Sequence, residues 1–142
     1  MKISTKGRYA LRLMLDIALS GSGQPVPLKD VAERQGISDK YLEQIVTQLS
    51  RAGLVRSVRG AGGGYLLTRT PEEYTVGEIL RVLEGSLAPV VCAEEGCTCE
   101  RIDQCVAVEV WTKIRQAVNQ VVDGITLADL VTRYHEKCEK SS

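Results

Sequence analysis

Cys92, Cys97, Cys99 and Cys105 fall within 14 residues of a 142-residue chain, and a fifth cysteine, Cys138, stands near its end. Thiolates grouped in this way can hold a soft metal or a metal-sulfur cluster, or act as redox thiols. A structural disulfide framework needs an oxidising compartment, and the opening residues Met1 to Lys6 lack the apolar stretch of an export signal. Zinc sites usually pair cysteines across two to four intervening residues, which the Cys97-x-Cys99 spacing matches poorly. Metal binding and thiol chemistry both stay open on spacing alone.

A second group of residues could touch a polyanion. The formal net charge is zero, but residues 1–70 carry 11 Lys+Arg against 5 Asp+Glu, whereas residues 71–142 carry 7 against 13. A positive half draws nucleic acid and an acidic half limits where it can sit. The basic half ends in a glycine-rich stretch, residues 59–65 (RGAGGGY). It lacks the spacing of a phosphate-binding loop and leads into a strand-like run, so a nucleotide cradle is disfavoured. With one histidine, His135, and no nucleophile-base-acid set, the chain is not expected to be an enzyme. Nor does it contain the roughly 20-residue apolar run of a membrane helix, so it is expected in the cytoplasm and without a membrane partner.

These groups need elements to position them. Ser4 or Thr5 can cap a first helix, largely apolar, that Gly21 stops. A short helix over residues 28–35, Gly36 as a left-handed cap, and a helix capped by Ser38 and running to about Ala52 have the proportions of a helix-turn-helix. Leu42, Ile45, Val46 and Leu49 face inward there. Asp39, Lys40, Glu43, Gln44 and Thr47 face out, a set of donors and acceptors that can meet base edges. Residues 54–59 and 64–69 then form a hairpin wing, with Arg56, Arg59 and Arg69 supplying its charge. Thr75 with Glu78 is a capping box for a helix that ends at Gly85, and the cysteine loop follows. From Val106 the apolar residues Ala107, Trp111, Ile114, Val118, Val121 or Val122, and Ile125 recur at spacings of three and four, the seam of a long helix wanting a partner. Thr126 with Asp129 can cap a last short helix, with a frayed tail over residues 137–142. The fold class expected is mainly α with a small β-hairpin wing: a winged helix-turn-helix over residues 1–85, a cysteine loop over 86–105, and a dimerisation helix with a short C-terminal helix over 106–142.

With those elements in place, the chain resembles the bacterial winged-helix family of iron-sulfur and cysteine regulators that includes IscR, NsrR and CymR. The likeness covers nearly the whole chain and is carried by residues 4–10 (STKGRYA), 41–44 (YLEQ), 53–65 (GLVRSVRGAGGGY) and 126–130 (TLADL). It implies a homodimeric repressor or activator, with the long helix crossing to the other subunit through Trp111, Ile114, Val118, Val121 and Ile125. It also implies an iron-sulfur cluster, expected to be [2Fe–2S], held by Cys92, Cys99 and Cys105, with Cys97 a fourth ligand or a spare thiol and zinc the alternative metal. Two familiar fourth ligands are missing: Val108 stands where such regulators place a histidine, and Arg8 where others place an acidic residue.

The partner implied is double-stranded DNA with an approximately palindromic operator. Lys6, Arg8, Arg56 and the helix start at Ser38 would meet phosphates, and Lys40, Tyr41, Glu43 and Gln44 lie on the reading helix. Arg59 beside Gly60 suits a narrow minor groove. The function implied is control of iron-sulfur cluster biogenesis or related genes in response to iron-sulfur status or redox stress. The alternative is a CymR-like or thiol- or zinc-based regulator of sulfur metabolism without a cluster.

Overall fold

The computed structural model describes residues 2–94 and 96–141, as six α-helices and one two-stranded sheet among those residues. Helix α1 (Thr5–Ser20) is the centre of the molecule. Ala10, Leu13, Met14 and Ile17, spaced to share one face, are at most 2% exposed, and each large side chain buried this way contributes roughly 1.5–3 kcal/mol. Ser4 caps the helix, its hydroxyl accepting from the Gly7 N–H (3.1 Å). The Glu84 carboxylate, at the far end of α4 (Val76–Glu84), accepts from the N–H (2.9 Å) and hydroxyl of Ser4, which places a negative charge at the positive end of α1.

Helices α2 (Leu28–Gln35) and α3 (Asp39–Arg51) form the helix-turn-helix, turned by Gly36 at φ +66° and capped by Ser38, whose hydroxyl accepts from the Tyr41 N–H (3.2 Å). An ion pair ties α2 across α1. Asp16, 4% exposed, accepts from Arg34 Nη2 (2.7 Å) and Gln35 Nε2 (2.9 Å), and Arg12 Nη2 reaches the terminal carbonyl of Gln35 (2.8 Å). Burial alone would raise the Asp16 carboxyl. Hydrogen bonds from Arg34 and Gln35, with the Arg34 charge, outweigh it and hold the group below its ordinary value of 3.8.

The wing is β1 (Val55–Val58) paired antiparallel with β2 (Gly64–Leu67), Val55 opposite Leu67 and Val58 opposite Gly64. Val26 adds a bridge to Tyr65 on the other edge of β2, through two hydrogen bonds of 2.9 Å. Gly64 permits that approach, because a Cβ there would run into the Val26 carbonyl.

Helices α5 (Val106–Asp123) and α6 (Leu127–Ser141) complete the chain. The Thr126–Asp129 capping box is reciprocal: Asp129 Oδ2 accepts from the Thr126 N–H (2.9 Å) and Thr126 Oγ1 from the Asp129 N–H (3.0 Å). Thr75 caps α4 in the same manner (3.0 Å), but the Glu78 carboxylate is taken by Arg69 (2.5 Å), so that box is half made. One expectation is corrected. The last helix is not short: it holds 15 residues and continues to Ser141, into the stretch read as frayed, whose last residue, Ser142, lies outside the described residues; an Arg133–Glu136 pair (3.0 Å) lies on its surface.

Tyr74 joins wing and helices. It is fully buried, and its hydroxyl donates to the Leu54 carbonyl (2.7 Å) while accepting from the N–H groups of Thr68 (2.9 Å) and Arg69 (3.1 Å). Tyr74→Phe removes the acceptor of two backbone N–H groups and leaves the Leu54 carbonyl only its longer bond from Thr68 Oγ1 (3.3 Å), so urea denaturation should show a loss of about 1–3 kcal/mol with an unchanged denaturant slope.

Candidate functional site

The outer face of α3 and the start of α1 enclose a shallow recess of about 480 Å³, lined by Lys6, Lys40, Glu43, Gln44, Thr47, Gln48 and Arg51. Lys6 stands beside the reading face because α1 packs directly on α3. Lys40, Glu43 and Gln44 are exposed. Thr47 is partly committed, its hydroxyl donating to the Glu43 carbonyl (2.6 Å). Tyr41 is half-buried, its ring edge-on to Tyr9 at 5.7 Å, with the Arg12 guanidinium 5.3 Å from the centre of the Tyr9 ring. Arg8 is exposed and donates to Thr5 Oγ1 (3.1 Å) without lining the recess.

Arg51 and Gln48 were missed by the sequence reading. The signal was available: 40, 44, 48 and 51 continue one helical face beyond its first two turns. Gln48 Oε1 is buried without a hydrogen-bond partner.

On the wing, Arg56, Arg59 and Gly60 are exposed, and the tip is closed by a hydrogen bond from the Gly63 N–H to the Gly60 carbonyl (3.0 Å). Gly60 at φ +101° and Gly62 at +79° make the reversal without side-chain cost. Helix and wing together present a basic reading surface.

The cysteine loop leaves α4 at Gly85 and enters α5 at Cys105. Cys92, Cys97 and Cys99 line one open recess of about 490 Å³, with Glu94 and Thr98 in its wall. Cys105 lies outside it, as the N-cap residue of α5, half-buried and with no side-chain cap bond. All five cysteines are free thiols. Among the described residues no group of three or more His, Cys, Asp or Glu stands gathered to hold a metal ion. The donor chemistry suits a soft metal or cluster, and three of the donors line one open recess.

The dimer-seam residues separate into two sets. Val118 and Ile125 pack against Val76, Leu80 and Leu87 of their own chain. Ile114 is half-buried, Trp111 36% exposed and Val121 60% exposed. The unpartnered apolar stripe runs through Val106, Val110, Ala117 and Val121, rotated part of a turn from the expected seam.

The C-terminal half of α5 is clamped to α4. Arg81 donates to both Asp123 oxygens (2.6 and 3.0 Å) and to Asn119 Oδ1 (2.8 Å). These bonds hold the Asp123 carboxyl below its ordinary range despite a small opposing effect of burial. Gly77 lets the helices meet, since a Cβ there would strike Asp123 Oδ1. Glu94 lies between the two features, lining both the cysteine recess and the cavity bounded by Arg81, Asn119 and Asp123.

A helix-turn-helix with a glycine-tipped wing and an appended long helix defines a winged-helix DNA-binding regulator. A family model described as an iron-dependent transcriptional regulator, Rrf2, matches residues 3–133, and the chain belongs to the Rrf2 family of transcriptional regulators. The HTH-type transcriptional regulator CymR of Bacillus subtilis is 46% identical over 132 residues, spanning 93% of this chain and 91% of that protein. The HTH-type transcriptional regulator IscR of Aliivibrio salmonicida is 43% identical over 132 residues, spanning 92% and 77%. The solved structure of T. potens IscR superposes with a TM-score of 0.79 at 42% identity, covering 96% of this chain and 90% of that one. These relatives are named as regulators and not as enzymes, in line with the sequence reading. No helix among the described residues is long and apolar enough to cross a membrane.

The Gly77 contact yields a test of the clamp. Gly77→Ala must displace the Arg81–Asp123 pair and should cost about 1–3 kcal/mol in thermal or urea unfolding. With Asp123→Ala already present, the same change should cost clearly less, a coupling that a double-mutant cycle measures.

Proposed function

We propose that the chain is a homodimeric, cytoplasmic regulator that senses iron-sulfur status or redox stress through a [2Fe–2S] cluster on its 86–105 loop and controls genes of cluster biogenesis or related processes. The observation that carries this reading is the recess shared by Cys92, Cys97 and Cys99 on the loop that joins α4 to α5. Cys92, Cys99 and Cys105 are assigned as ligands. A thiolate-held cluster supplies a centre that responds to iron supply and oxidants, and ligation would order a loop that is otherwise irregular.

Lys6, Arg8, Arg56 and the N-terminus of α3 at Ser38 neutralise phosphates and set the register on DNA. Lys40, Tyr41, Glu43 and Gln44 face the major groove, with Gln44 suited to bidentate pairing with adenine; Arg59 and Gly60 enter the adjacent minor groove. Pairing of two copies through α5 covers the Val106, Val110 and Val121 stripe and gives the two-fold symmetry that an approximately palindromic operator mirrors.

A second reading has its own support: the donors are not gathered, and the chain is as similar to CymR as to IscR. There the loop would work as a cluster-free thiol or zinc site in a regulator of sulfur metabolism.

The test is anaerobic purification and reconstitution with ferrous iron and sulfide, followed by visible absorption, metal and sulfide analysis, and DNA binding with and without the cluster. Bound iron and sulfide that change operator affinity are expected; colourless protein with no iron, or with zinc alone, would establish the second reading. The DNA face makes a separate prediction. Arg56→Ala should weaken binding to all sequences and reduce the salt slope by about 1, whereas Gln44→Ala should lose about 1–3 kcal/mol of discrimination at one base pair, both measured by fluorescence anisotropy over a salt series.

A further inference from the structure

We propose that Cys97 is a ligand and not a spare thiol, so that this chain holds its cluster by Cys92, Cys97, Cys99 and Cys105, all from one subunit. The inference rests on the cluster reading of the loop and supplies the fourth ligand that reading leaves open. The backbone turns at Gly96 (φ +76°), and the Cys97 N–H donates to the Glu94 carbonyl (3.3 Å). That reversal folds Cys97 back onto the recess that Cys92 and Cys99 line.

The other donors are poorer. Glu94 lines the same recess, but its hard carboxylate oxygen competes badly with a thiolate for iron already bound to sulfide. His135, the chain's one histidine, sits on α6 against Tyr134, a ring-to-ring distance of 5.8 Å, and lines no part of the recess. The one-residue gap between Cys97 and Cys99 is no obstacle, because a [2Fe–2S] cluster has two irons and the two thiolates need not share one. Cys105 closes the set from the N-terminus of the 18-residue helix α5. Since the four are not gathered in the open loop, ligation draws the recess toward the start of α5.

The full chain is reconstituted anaerobically with ferrous iron and sulfide beside Cys97→Ala, Cys97→Ser, Cys92→Ala and Cys138→Ala. Bound iron and sulfide, visible absorption and the electron paramagnetic resonance of the dithionite-reduced protein are measured. The proposal expects Cys138→Ala to match the unaltered chain, Cys97→Ala to lose iron and sulfide alongside Cys92→Ala, and Cys97→Ser to keep iron with shifted absorption and resonance, as an oxygen ligand requires. Cys97→Ala with unaltered iron, sulfide and resonance, beside a Cys92→Ala variant that loses them, would overturn the role of Cys97 and leave the loop cluster standing. An unaltered chain that takes up no iron or sulfide would overturn both.

Discussion

The wing, the end of α3 and the entry to α6 all depend on one buried phenol. The Tyr74 hydroxyl gathers the Leu54 carbonyl at the start of the wing and the Thr68 and Arg69 N–H groups at its end. Its backbone carbonyl accepts from the Leu127 N–H (3.0 Å), and the neighbouring Val76 N–H donates to Ile125 (2.9 Å). Two short strands cannot stabilise themselves in water, and fixing both ends of the hairpin to one side chain removes much of the entropy they would otherwise have to overcome. The same residue thus sets the wing angle relative to α3 and the position at which α5 hands over to α6.

Much of this was legible because it is local. Ser4, Ser38 and the Thr126–Asp129 pair act over three residues, and Gly36 acts at one dihedral, so a short window of sequence contains the whole interaction. What escaped reading is tertiary. Glu78 occupies the right place to complete a capping box, yet Arg69 from the wing captures it. The face that α5 leaves open is also a tertiary matter. Its apolar residues cover more than one stripe, and only the position of Val76, Leu80 and Leu87 on the partner elements decides that Val118 and Ile125 turn inward while Val106, Val110 and Val121 stay out.

The candidate site divides along the same line. Spacing named the cysteines as a group but could not say which share a space; a left-handed turn at Gly96 decides that, and it puts Cys97 with Cys92 and Cys99. The polar face of α3 was legible on its first two turns, where polar residues alternate with the core set. Its extension to Gln48 and Arg51, and the approach of Lys6 from α1, follow from helix packing that no short motif encodes.

The placement of the loop constrains how any occupant could influence DNA. At its far end α5 is held three ways, by the Arg81–Asp123 pair, by the Asn119 contact and by the bridge between Thr75 and Thr126. At its near end Val106 and Val110 are 75% and 51% exposed, and Cys105 makes no cap bond. Under the proposed function, drawing Cys105 toward the recess would act on the end of α5 that carries Val106 and Val110, at the proposed pairing face, and not on its clamped end. Glu94 borders both the cysteines and the Arg81 clamp, so the loop adjoins the α4–α5 contact as well as the start of α5. On the proposed function, an occupant of the loop would therefore act at the pairing face of α5, distant in sequence from α3 and the wing.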